Sequence, residues 1–213
     1  MHVVIFGSSG MVGQGALREA LLDPGVERVT AVVRSASGKA DAKLREIVHK
    51  DMQDLSGLSL ACDLCIFAIG VTSAGLSEEA YSKVTYDTAL AAARAVLSPT
   101  TTFVFVSGSG ADRDVMWARV KRRTEQDLAA LPFKAVYVFR PAFIQPLHGI
   151  RSRTRMYNLL YAVLWPLTYL IPGRYKSTTE RVGRAMLNVA RSGFDKRILE
   201  SEDINRAAAS RGP

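Results

Sequence analysis

Residues 2–13, HVVIFGSSGMVG, carry an unbroken apolar run straight into a Gly-x-x-Gly-x-x-Gly turn that opens helix-forming sequence. That order leaves few folds open. An uninterrupted apolar row suits a strand buried on both faces. Gly7, Gly10 and Gly13 let the chain reverse tightly and bring its backbone close to a ligand. A helix starting at such a turn presents unpaired N–H groups and the positive end of its dipole, which together hold a phosphate. Gly7, Ser9, Gly10, Met11, Val12 and Gly13 are therefore candidate contacts for a dinucleotide pyrophosphate. A glycine triplet alone is a weak signal; its place between the first strand and first helix of an alternating chain makes it strong.

The alternation continues. Short apolar runs predict strands at His2–Phe6, Arg28–Val33, Glu46–His49, Leu64–Ile69, Thr102–Val106, Ala135–Phe139 and Arg197–Leu199. Between them, helices are expected over Met11–Leu22, Glu78–Leu97, Val115–Ala130 and Thr178–Arg191. This pattern predicts an α/β protein of Rossmann type, a doubly wound parallel sheet with a small helical cap near the C-terminus. The 213 residues suit one domain, with residues 145–176 as an apolar cap within it. Ser177 and Glu180 read as a capping box for the last helix, Gly193 as its stop, and Ala207–Pro213 as a frayed tail.

Where the second strand ends, folds that bind NAD usually place an Asp or Glu for the ribose hydroxyls. Here stands Arg34, with no acid before Asp41. A guanidinium pairs well with a 2′-phosphate, which favours NADP(H) over NAD; the alternative is a solvated arginine. By position along the fold, Asp51 with Met52 would face the adenine. Ala68, Ile69 and Gly70 would run along the adenosine ribose.

A composition 48% hydrophobic and 23% charged is that of a folded globular chain, which excludes a disordered or fibrous one. Cys62 and Cys65 form a lone Cys-x-x-Cys. Zinc would need two further ligands and a redox pair a helix start, so they read as two small buried thiols, with no metal site. The net charge of +8 is uneven: Arg113–Lys176 holds 12 basic residues against 3 acidic. Such a half suits an anionic cofactor, substrate or membrane surface. Nucleic acid is not expected, because no helix-turn-helix, finger or aromatic–basic platform is present. Met156–Pro172 is almost wholly apolar, short for a membrane span and interrupted by Pro166. It reads as two short helices over a substrate pocket. The sharper alternative is contact with an anionic membrane surface through 151–176, anchored by Arg151, Arg153 and Arg155. With the first strand starting at His2, a cytoplasmic location is expected. Monomer and homodimer both stay open.

With these residues in hand, the chain resembles the short-chain dehydrogenase/reductase superfamily, specifically its small atypical, epimerase/dehydratase-like members. The resemblance runs from His2 to about Glu200. It is carried by GSSGMVG, the AIG turn at Ala68–Gly70, VSGSGAD at Val106–Asp112, WARVK at Trp117–Lys121 and FRPAFIQP at Phe139–Pro146. It implies a Ser-Tyr-Lys site. Ser107 would polarise a substrate carbonyl, and Lys121 would bind the nicotinamide ribose and lower the tyrosine's pKa. Arg140-Pro141 would be the turn whose backbone borders the nicotinamide. The tyrosine position, however, holds Trp117, whose indole N–H donates hydrogen bonds but cannot move a proton. The resemblance thus implies an NADP(H)-dependent oxidoreductase-like protein for a small hydrophobic substrate. Its proton would come from His148, Tyr157 or water, or its acceptor would need none from the protein. The alternative is a non-catalytic NADP(H) sensor, as in the superfamily's NmrA-like regulators.

Overall fold

The computed structural model describes residues 1–150 and 172–210. The expected cap or interfacial helix at Met156–Pro172 therefore lies, save for Pro172, outside the described residues. Among those described, no helix is long and apolar enough to cross a membrane.

Seven parallel strands form one sheet: β1 (His2–Phe6), β2 (Arg28–Val33), β3 (Leu44–Val48), β4 (Leu64–Phe67), β5 (Thr102–Val106), β6 (Ala135–Arg140) and β9 (Ile198–Glu200). Their order is β3-β2-β1-β4-β5-β6-β9. The chain builds outward from β1 to β3, then returns to place β4 on the other side of β1. Connections on the two sides of β1 diverge, and the crevice between them, at the carboxyl ends of the strands, is where such sheets bind ligands. A separate pair, β7 (Phe143–Gln145) and β8 (Lys176–Thr178), runs parallel beside it.

β1 shows why this sheet is covered on both faces. Val3, Val4, Ile5 and Phe6 are all fully buried. Val3 and Ile5 pack with Ala16 and Leu17 of α1 (Met11–Leu22) and Val182 and Met186 of α5 (Thr179–Ser192). Val4 and Phe6 point the other way, toward Ala89 and Ala93 of α3 (Thr88–Ala95). The period of two along a strand assigns alternate residues to opposite layers.

Several local expectations shift. β3 begins two residues before the expected Glu46. The expected helix Glu78–Leu97 is interrupted: α2 (Glu78–Ser82) passes through a π-helical turn, Lys83–Asp87, into α3. The cap of α5 is Thr178, whose hydroxyl accepts from the Arg181 amide at 3.1 Å. Ser177 is held one residue early, in β8, and donates to Asn205 Oδ1. Residues 207–209 are no frayed tail. They end a helix, α6 (Ser201–Ala209), that buries Ile204 and Ala207 against the α1–α5 layer. Its apolar face is too short to show as a pattern in sequence. Cys62 and Cys65 are free and buried, and burial pushes the Cys62 thiol up to about 12.

Candidate functional site

The turn after β1 works by being bare. Gly7 has φ +86°, and a Cβ there would lie 2.6 Å from the carbonyl carbon of Ala68, at the end of β4. A Cβ on Gly13 would lie 2.0 Å from the Gly7 carbonyl oxygen, so the first turn of α1 can sit on the strand end only as glycine. Gly10 is the N-cap of α1. It offers no side chain to the helix amides, and the first turn holds no acid. The amides at the helix start therefore face outward with the positive end of the dipole behind them.

They face a cleft of about 880 Å³. Gly7, Ser9, Gly10 and Met11 form one wall, with Ala68 and Gly70 beyond β4. Arg34, just past β2, and Asp51, just past β3, line it as well. Ten of the residues expected around a dinucleotide, Met52 and Ile69 among them, thus line one cavity. Val12 and Gly13 do not line it; Gly13 acts from behind, by letting helix and strand touch. Asp51 Oδ1 accepts from the Gln53 and Asp54 amides at 2.9 and 3.3 Å, which orders its own loop. Two lining features were not foreseen. Lys50 stands beside Asp51. The π-turn contributes Val84, and Thr88 follows it, donating from its hydroxyl to the Lys83 carbonyl at 3.0 Å. π-turns of this kind recur where a helix wall must be reshaped. Arg34 is exposed, as is Lys50, and among the described residues neither makes an ion pair.

Ser107, Trp117 and Lys121 do not line this cleft. Ser107 lies on the far side of β4, just past the end of β5, and Trp117 and Lys121 lie on α4 (Met116–Ala129). Lys121 is buried; its Nζ donates to the Val106 carbonyl at 3.1 Å and lies 4.8 Å from the Phe105 ring centroid. Burial lowers its pKa to about 8, against a raising effect of the Glu125 carboxylate. Trp117 is half-buried one turn earlier on the same helix.

Glu125, one turn after Lys121, is the residue that sequence reading missed. It is buried, and the Ser107 hydroxyl donates to its Oε1 at 2.5 Å. Arg140 closes on the same carboxylate, with Nε at 3.1 Å from Oε1 and Nη2 on Oε2. Arg140 was expected to matter through its backbone; its side chain is instead the counter-ion of Glu125, with Glu200 3.9 Å away. The only sequence signal was the four-residue spacing of Lys121 and Glu125, which reads equally well as a solvated pair. His148 has φ 57°, and its Nε2 lies 2.7 Å from Glu180 Oε2 on α5, which ties its ring to that helix. Tyr157 is outside the described residues.

No family model matches the chain. Curated relatives do. The mitochondrial protein fmp52 of Emericella nidulans is 33% identical over 167 residues, covering 72% of this chain and 70% of that protein. The mitochondrial protein FMP52 of Saccharomyces cerevisiae is 29% identical over 229 residues, covering 99% and 97%. Among solved structures, an oxidoreductase of the short-chain dehydrogenase/reductase family from Burkholderia thailandensis superposes with a TM-score of 0.69 at 16% identity, over 97% of this chain and 92% of that one. A serine dehydrogenase complexed with NADP+ gives 0.67 at 14% identity, over 94% of each. The fold is that of the short-chain dehydrogenase/reductase superfamily. The expected cytoplasmic location is overturned, because the relatives are named as mitochondrial. The position of the first strand, on which that expectation rested, does not decide a compartment.

Proposed function

The chain belongs to the FMP52 family, and from its site we propose that it is an NADP(H)-binding, oxidoreductase-like protein that works in a mitochondrial setting. The observation that carries this reading is the pairing of two features in one cleft. A glycine turn with an uncapped helix start lines it, and so do two cations, Arg34 and Lys50, that make no ion pair among the described residues. A pyrophosphate fits the first, because no Cβ stands between it and the amides. A 2′-phosphate fits the second, where it would meet a planar guanidinium and an ammonium.

A nicotinamide bound there would supply or accept a hydride. The chain's own groups would do the rest. Lys121, buried near the end of β5, would offer its ammonium to the ribose hydroxyls, while Trp117 can orient a carbonyl through its N–H but not protonate it. The apolar run at 156–172 supports a small hydrophobic substrate.

A second reading, cofactor binding without turnover, is favoured by one further contact. The Ser107 proton is already committed to Glu125, so neither Ser107 nor Trp117 is set to deliver a proton. Titration of the protein with NADPH and NADH, followed by turnover assays on aldehydes, ketones and quinones, separates the readings. Binding of NADPH with consumption supports the oxidoreductase, and binding without consumption supports the sensor. Equal affinity for the two cofactors would overturn the NADP(H) assignment.

A further inference from the structure

We propose that Glu125 is the positioning residue of the Ser107–Lys121 site: a single buried carboxylate that locks the Ser107 hydroxyl and balances the charge of Lys121. The proposal rests on the reading of Ser107 and Lys121 as the pair beside the nicotinamide.

The geometry is that of a hub. Glu125 lies on α4, Ser107 just past β5 and Arg140 at the end of β6, so one carboxylate ties three elements together at the sheet's carboxyl edge. A buried carboxylate needs a counter-ion, and Arg140 supplies it with a two-pronged contact. A carboxylate that served only Arg140 would not need a third bond. Oε1 nevertheless accepts both from Arg140 Nε and from the Ser107 hydroxyl. Lys121 sits one helical turn back on the same buried face, with the Val106 carbonyl as its hydrogen-bond partner and an aromatic ring beside it. Neither of those carries a full negative charge.

Among the described residues, the charges around this hub can be named. Glu125 meets Arg140 from β6, and Lys121 stands four residues earlier on the same helix, buried like Glu125. Glu200, the cap residue of α6, and Asp112, in the loop after β5, act on Arg140 from outside. Glu125 is the acidic group that supports the charge of Lys121. Removing that charge while keeping the shape therefore makes Lys121 lose its proton at lower pH. Glutamine does this, since its carbonyl oxygen can still accept from Ser107.

The test follows Lys121 directly in the cofactor-free protein, by NMR of lysines labelled at the ε-carbon, with the signal assigned through Lys121→Arg. In Glu125→Gln the titration midpoint is expected to fall by about one pH unit. NADPH affinity, measured over the same pH range, is expected to drop at correspondingly lower pH. An unchanged Lys121 midpoint, with affinity lowered evenly at all pH values, would overturn the proposal and leave Glu125 as a structural partner of Arg140. Should Glu125→Gln not fold because Arg140 is stranded, the double variant Glu125→Gln/Arg140→Met removes both charges, and a smaller fall in midpoint is expected, because the repulsion from Arg140 is lost as well. If the wild-type protein bound no NADPH, the proposed function would fail. The NMR midpoints would still report separately whether Glu125 governs Lys121.

Discussion

Gly13 stands so close to Gly7 that a Cβ on it would lie 2.0 Å from the Gly7 carbonyl oxygen. The contact is backbone to backbone, so no side-chain movement can relieve it. Gly13→Ala must therefore push α1 away from the end of β1 or distort the turn. We expect a loss of about 2–3 kcal/mol in urea unfolding, and NADPH binding weakened at least tenfold even where the variant folds. Full retention of both stability and binding would show that the helix start has no role in holding the pyrophosphate.

Arg34 and Lys50 should divide the preference between cofactors. A charge-assisted bond is worth about 1.5–3 kcal/mol, so Arg34→Ala is expected to weaken NADPH binding by tenfold or more and leave NADH binding nearly untouched. Lys50→Ala should act in the same direction and less strongly, because an exposed ammonium gives a single, solvated contact. Isothermal titration with both cofactors at two salt concentrations reads this. The NADPH term should shrink at high salt and the NADH term should not.

Trp117→Tyr asks whether the site lacks only its acid. Replacing the indole places a phenol one turn before Lys121, the spacing at which an ammonium lowers a phenol's pKa. If the frame is otherwise competent, carbonyl reduction should appear or rise by 10²–10⁴-fold, about what general acid catalysis is typically worth. An unchanged silence, with NADPH binding intact, would assign the pocket to binding alone.

Lys121 should leave its mark on stability as a function of pH. Its pKa is about 8 in the folded protein against 10.5 for a free side chain. Below about pH 8 the folded state must carry a buried charge at full cost. Between about 8 and 10.5 the folded state has released that proton while the unfolded chain still binds it, so this group makes stability rise with pH there. Lys121→Met is expected to stabilise the fold at pH 7 by about 2 kcal/mol, the burial cost less the lost bond to the Val106 carbonyl, and to flatten that rise. Urea unfolding at pH 7 and pH 10 measures both effects.

Much of this was legible because it is local. The strand, turn and helix of residues 2–22 occupy the span the sequence predicts, since each apolar and glycine position acts on neighbours a few residues away. Arg34 could be singled out because the end of β2 is a position, not a packing arrangement. Other features depended on distant partners. Ser177 followed three residues later by Glu180 looked like a helix cap, yet pairing with β7 holds Ser177 in a strand and passes the cap to Thr178. The short helix Ser201–Ala209 exists because Ile204 and Ala207 find a ready apolar surface, and two residues are too few to announce it.

The sequence alone determined the dinucleotide-type turn, the parallel α/β order and the missing tyrosine at Trp117, each of which follows from residue type at a position along the chain. Only the tertiary structure decided what holds the Ser107 hydroxyl. Glu125 lies in a helix dense with arginines, where its neighbours suggest a solvated face. The packing of α4 against the ends of β5 and β6 turns it inward and gives it Arg140, from 15 residues away, and Ser107, from 18. Burial raises the electrostatic weight of such a carboxylate many-fold over its value in water, and burial is a property of the folded whole.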